Sequence, residues 1–151
     1  GLSVYMSMAD ESSQNPVSEI GNRIFLIRGR RVMLDADLAE IYGVSTRRLN
    51  QQVRRNIRRF PGDFMFELSR EEFKGLMLQY ATSKKRRGGR QKLPLVFTQE
   101  GVSMLSGVLQ SPRAIEANIA IMRAFVRLRQ MVSGRRELAD KLGDLELKRD
   151  A

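Results

Sequence analysis

The segment from Ser45 to Arg59, STRRLNQQVRRNIRR, holds six arginines and no acidic residue. These side chains suit recognition of planar hydrogen-bonding groups and of phosphate. A guanidinium can donate to O6 and N7 of guanine together, and an Asn or Gln amide matches N6 and N7 of adenine. Read as a helix, the segment turns Thr46, Arg47, Asn50, Gln51 and Arg54 outward, with Ser45 or Thr46 capping its start. Arg48, Arg55, Arg58 and Arg59 lie off that forward face or farther along, where backbone phosphates are the better fit.

A second concentration of charge surrounds the paired glycines Gly88 and Gly89: Lys84, Lys85, Arg86, Arg87, Arg90 and Lys92. By itself such a stretch is a solvated, mobile loop. Beside a small sheet it could also act as a wing that follows phosphates or enters a minor groove.

Other chemistries find little support. The chain has no Cys and no His, which excludes disulfides, thiolate metal sites, serine–histidine triads and histidine-based zinc sites within it. No metal or other cofactor is expected, and no enzymatic activity. Asp63, Glu72 and Lys74 superficially match a metal-dependent nuclease motif. That reading needs carboxylates converging on a divalent cation. Glu72 instead stands three residues after Ser69, the spacing of a helix capping box, and Glu72 and Lys74 would diverge on one helix. RNA binding is disfavoured because Phe25, Phe64, Phe66 and Phe97 sit in core-like contexts and not on a stacking platform.

The elements that must position the basic segment are legible around it. Residues 35–42 and 46–59 read as two helices joined by Gly43-Val44-Ser45, a helix-turn-helix, with Phe60-Pro61-Gly62-Asp63 as the stop. Ala39 permits close helix approach, Gly43 permits positive φ in the turn, and Leu38, Ile41, Val44, Leu49 and Val53 form the inner face. Ile24–Ile27 and Arg31–Leu34, around Arg28-Gly29-Arg30, read as a hairpin. Phe64–Leu68 is a strand that Leu93–Phe97 could pair with. Helices are expected over about 70–80, over 99–109 behind Thr98, and from Pro112 to about 132. The last has apolar residues on every face between Ala114 and Val126, which predicts a central core helix. Gly134 interrupts it. Beyond that, Leu138, Leu142 and Leu145 could begin a coiled coil or pack on the domain itself.

Composition bounds the partners. Lys and Arg outnumber Asp and Glu by 27 to 17 over 151 residues, and the resulting charge of +10 favours a polyanion. No apolar run reaches transmembrane length and nothing resembles a secretory signal, so a cytoplasmic protein with no membrane partner is expected.

With these residues in view, the chain resembles the Orf-six N-terminal domain, a relative of the KilA-N DNA-binding domain of phages, large DNA viruses and bacterial mobile elements. The resemblance rests on IRGRRVMLDADLAEIYGVSTRRLNQQVRRNIRRFPGDFMFELSREE and LPLVFTQEGVSMLSGVLQSPRAIEANIAIMRAFVRLR, about residues 24 to 129. It implies a compact α+β DNA-binding domain of a phage-type regulator or antirepressor, with residues 35–59 as its helix-turn-helix. Combined with the residue-level reading, the expectation is an arm over 1–19, a KilA-N-like domain over 20–132 and a C-terminal helix over 133–151. The fold is α+β: a helix-turn-helix, a small antiparallel sheet and a long C-terminal helix. Its partner would be double-stranded DNA, read selectively by a homodimer with the second helix in the major groove. The alternative is a protein-interaction module, an antirepressor binding a repressor, with only non-specific DNA affinity.

Overall fold

The computed structural model describes the backbone of residues 16–79 and 92–150 and the side chains of 19–79 and 92–143. Residues 22–119 form one compact unit; 16–21 and 120–150 fall in another. A short helix, α1 (Pro16–Gly21), begins within the stretch expected to be an arm.

The compact unit opens on the expected hairpin, β1 (Ile24–Ile27) and β2 (Arg30–Leu34). Its two-residue turn places Arg28 at φ 55° and Gly29 at φ 73°, the primed geometry that suits the strand twist. Positive φ at a residue with a side chain costs about 1–2 kcal/mol. Arg28 offsets this through its contacts. Its Nε and Nη2 each donate to the Glu72 carboxylate at 2.8 Å, and the guanidinium lies 4.3 Å from the Phe66 ring centroid.

The helix-turn-helix follows as α2 (Asp35–Tyr42) and α3 (Thr46–Arg55). The chain then makes a 3-10 turn over Ile57–Arg59 and enters β3 (Met65–Glu67), α4 (Arg70–Gln79), β4 (Leu95–Phe97), α5 (Gln99–Leu109) and α6 (Pro112–Asp150). The strands form an antiparallel sheet in the order β1-β2-β4-β3, and β3 pairs β4 with Met65 opposite Phe97 and Glu67 opposite Leu95. The architecture is the expected α+β one.

Alternation along the strands separates two apolar layers. Phe25, Val32, Leu34 and Val96 face α4 and pack with Leu68 and Leu76. Met33 and Phe97, one residue out of phase, lie on the other face and are fully buried. That face carries the helix-turn-helix: α2 packs on β2 and β4, and α5 packs on both β4 and α3. Phe60 meets Phe97 edge to face at 5.9 Å between ring centroids. Each such buried side chain contributes about 1.5–3 kcal/mol.

Capping explains where the helices start. Ser69 and Glu72 form the predicted capping box, with Glu72 N–H donating to Ser69 Oγ at 3.1 Å and Ser69 N–H to Glu72 Oε1 at 2.8 Å. Thr98 Oγ1 accepts from Gly101 N–H at 3.3 Å to open α5. The close packing at that point depends on glycine, because a Cβ on Gly101 would collide with the Phe64 carbonyl oxygen.

Two expectations for the last helix are corrected. It does not stop near 132 but continues through Gly134 to Asp150. A helical glycine costs about 1 kcal/mol relative to alanine, which the strong helix formers on both sides outweigh. Nor is it buried all round: Ala114, Ile121, Ala124 and Phe125 are buried, whereas Ile115, Ile119 and Val126 are exposed. Met131, Leu138 and Leu142 are exposed as well.

Candidate nucleic-acid interface

The turn between α2 and α3 takes the expected form. Gly43 has φ 74° and ends α2 in a left-handed cap, with Val44 N–H donating to the Ala39 carbonyl at 2.9 Å. Ser45 caps α3, its hydroxyl accepting from Arg48 N–H at 3.0 Å. Leu38, Ala39, Leu49 and Val53 are buried beneath, and Ile41 and Val44 half-buried at the edge.

With Leu49 and Val53 inward, the helical repeat fixes what faces out. Arg47, Arg48, Gln51, Arg54 and Arg55 are exposed and occupy an arc of about 120° opposite them. None of these five side chains has a hydrogen-bond or ion-pair partner among the described residues. Ion pairs among the described residues lie elsewhere, such as those of Asp37 and Glu40 with Arg23 and of Glu72 with Arg28. The arc is therefore a surface of uncompensated positive charge on a capped, rigid helix.

Asn50 departs from the expected orientation. It was expected to face outward, yet it is half-buried on the flank of the arc, and its Nδ2 donates to Asp35 Oδ2 at 3.1 Å. Its Oδ1 is buried without a partner among the described residues. The cause is Asp35, wholly buried at the start of α2, whose carboxylate also accepts from Ala36 N–H at 2.7 Å and Leu95 N–H at 3.2 Å. One carboxylate thus ties α2, α3 and β4 together. Thr46 is half-buried on the same flank.

Arg58 and Arg59 are exposed but stand on the 3-10 turn, not on α3, which ends at Arg55. Asn56 makes the break: at φ −122° and ψ 33° its side chain donates to the Gln52 carbonyl at 2.9 Å. Two consecutive basic clusters result, one on the helix and one just past it. Lys84, Lys85, Arg86, Arg87 and Arg90 lie outside the described residues. Lys92 is exposed and, with Arg54 and Arg70, borders a groove between α3 and the β3–β4 edge. Arg70 had no distinguishing signal in the sequence; only the position of the α4 N-terminus brings it there.

Of the residues with nuclease-like spacing, Glu72 has its carboxylate engaged, and Asp63 accepts through its backbone carbonyl. The Asp63 carbonyl accepts from Arg30 at 2.7 Å, and Glu72 is held by Ser69 and Arg28. The Arg28 guanidinium, followed by the Ser69 backbone N–H, lowers the Glu72 pKa to about 2. Among the described residues, no group of three or more Asp, Glu, His or Cys is arranged to hold a metal ion. No helix among them is long and apolar enough to cross a membrane.

No curated protein and no solved structure matches the chain. A family model, the ORF6N domain, matches residues 22–108. That segment contains the hairpin, the helix-turn-helix, the remaining strands and all but the last residue of α5, and it stops before α6. With more than half of its length matched by that model, the chain belongs to the ORF6N domain family.

Proposed function

We propose that this domain binds double-stranded DNA selectively, as the reading module of a phage-type regulator or antirepressor. The observation that carries the reading is the arc of Arg47, Arg48, Gln51, Arg54 and Arg55, exposed and without carboxylate partners among the described residues, on a helix capped by Ser45. In this reading α3 lies in the major groove, with Arg47 and Gln51 nearest base edges. Arg55, Arg58 and Arg59 take phosphates along the strand. A helix of ten residues spans few base pairs, so a homodimer on two half-sites fits the role.

The testing experiment is selection of bound duplexes from a random pool at about physiological salt, where long-range attraction is screened. An enriched motif with half-sites about 10 base pairs apart supports a dimeric sequence reader. Recovery without enrichment reduces the function to non-specific attraction. In that case exposed Met131, Leu138 and Leu142 on α6 favour the second reading, a protein-interaction module that acts on a repressor.

A further inference from the structure

Beside the exposed arc of α3 lies a cleft whose walls include Tyr42, Gly43, Arg48, Gln52, Ser111 and Arg113, and no acidic residue lines it. Four of its ten lining residues, Leu109, Gln110, Ser111 and Arg113, come from the α5–α6 junction beyond the segment that defines the family.

Arg113 is held over the helix-turn-helix corner. Its Nε donates to the Ile41 carbonyl at 3.4 Å, and a Cβ on Gly43 would meet that same nitrogen at 2.9 Å. Its terminal nitrogens have no partner among the described residues, and neither does the guanidinium of Arg48. The first turn of α6 adds a backbone donor. Pro112 has no N–H, and Ala114 N–H is taken by Ser111 Oγ at 3.0 Å. Arg113 N–H is left without an acceptor among the described residues. Such a terminus favours negative charge.

Tyr42 supplies an independent sign of a missing acceptor. It is only 2% exposed, yet its hydroxyl has no hydrogen-bond partner among the described residues. Burial pushes the phenol well above its ordinary range, so the group remains a donor. A buried donor without an acceptor is costly, and Tyr42 is one of the residues lining the cleft.

We propose that this cleft seats a phosphate of the DNA backbone, with Arg48 and Arg113 as its cationic arms and Gln52 beside them. The inference rests on the DNA-binding reading and extends it beyond the helix-turn-helix, to the start of α6. Seating a phosphate there fixes the register of α3 in the groove from one side. It also joins the first turn of α6 to the bound state.

The test uses the full chain. Duplex affinity is measured against salt for the wild type, Arg113→Ala, Gln52→Glu and Arg70→Ala, with circular dichroism confirming the fold. Gln52→Glu places negative charge in the cleft while leaving the Arg113 contacts to Gly43 and Ile41 intact. Arg113→Ala and Gln52→Glu are each expected to weaken binding about tenfold, and Arg113→Ala to lower the salt slope by about one unit. Arg70→Ala, outside the cleft, is expected to leave the effect of Gln52→Glu unchanged when the two are combined. If folded Arg113→Ala and Gln52→Glu proteins bind duplex as the wild type does, the cleft assignment is overturned and the DNA-binding reading stands. If the wild type binds no duplex, that reading fails, and titration with inorganic phosphate decides the cleft. Selective amide shifts at Arg48, Ser111 and Arg113 would then retain a free-phosphate site, and their absence would remove it.

Discussion

The side-chain amide of Asn50 donates to the buried carboxylate of Asp35 at 3.1 Å, so a residue on the second helix of the helix-turn-helix is locked to the first residue of its partner. The same carboxylate oxygen accepts the Leu95 N–H, which extends the link to the sheet. This acceptor adds to the burial of Leu49 and Val53 in holding the orientation of α3, and with it the direction of the arginine arc. Asp35→Ala strands the Asn50 and Leu95 donors, removes the acceptor of Ala36 N–H as well, and is expected to cost about 3 kcal/mol by chemical unfolding. Asn50→Ala leaves the Leu95 bond in place and removes an orphaned carbonyl oxygen, so about 1 kcal/mol is expected. Equal losses for the two variants would show that Asp35 is not the common anchor.

How far this was legible beforehand depended on range. Gly43, Ser45, Thr98 and the Ser69–Glu72 box obey rules that span four residues or fewer, and all four took their expected roles. The orientation of Asn50 was not legible, because on helical spacing it falls at the margin of the exposed arc and its partner lies 15 residues away. Arg113 acts on Ile41 across 72 residues, and no local pattern marks it. The continuity of α6 through Gly134 is not legible locally, because one weak helix former reads as a break while the stronger formers on both sides carry the helix through it.

Glu72 gives the protein a defined acid sensitivity. Its folded pKa is about 2, below the ordinary value of about 4.3, chiefly because Arg28 binds the charged form. A depressed folded pKa means that stabilisation is present above the unfolded value and lost as pH falls through the folded one. Glu72→Gln retains a side-chain oxygen for the cap and removes the charge. Thermal unfolding is therefore expected to separate wild type from Glu72→Gln most clearly above about pH 5, with the gap closing toward about pH 2. A gap independent of pH would mean that the ion pair contributes nothing beyond geometry.

Two helical glycines are expected to respond oppositely to alanine. A Cβ on Gly101 would strike the Phe64 carbonyl, which Thr98 holds through both its N–H and its hydroxyl. Gly101→Ala is expected to destabilise by about 3 kcal/mol, the upper range for overpacking against atoms that cannot rotate away. Gly75, in the middle of α4, has nothing within 4 Å of its built Cβ. Gly75→Ala is expected to stabilise by up to about 1 kcal/mol through helix propensity alone. Equilibrium unfolding of both variants settles the matter, and a neutral Gly101→Ala would mean that α5 shifts freely on the sheet.

The division of labour along the basic segment is testable with two arginines that sequence alone does not distinguish by charge. Arg47 lies on the exposed arc in the first turn of α3, whereas Arg58 follows the helix on the 3-10 turn. A first-turn arginine in the major groove reaches base edges, while one beyond the helix end meets the sugar–phosphate chain. Arg47→Ala is expected to cost about 1–3 kcal/mol on the selected site and to relax preference at one position. Arg58→Ala is expected to weaken every duplex alike and to lower the salt slope by about one unit. Competition binding against the selected site and its single-base variants, repeated at several salt concentrations, separates the two. If Arg47→Ala behaves as Arg58→Ala does, α3 is not the reading element and the preference must reside elsewhere on the domain.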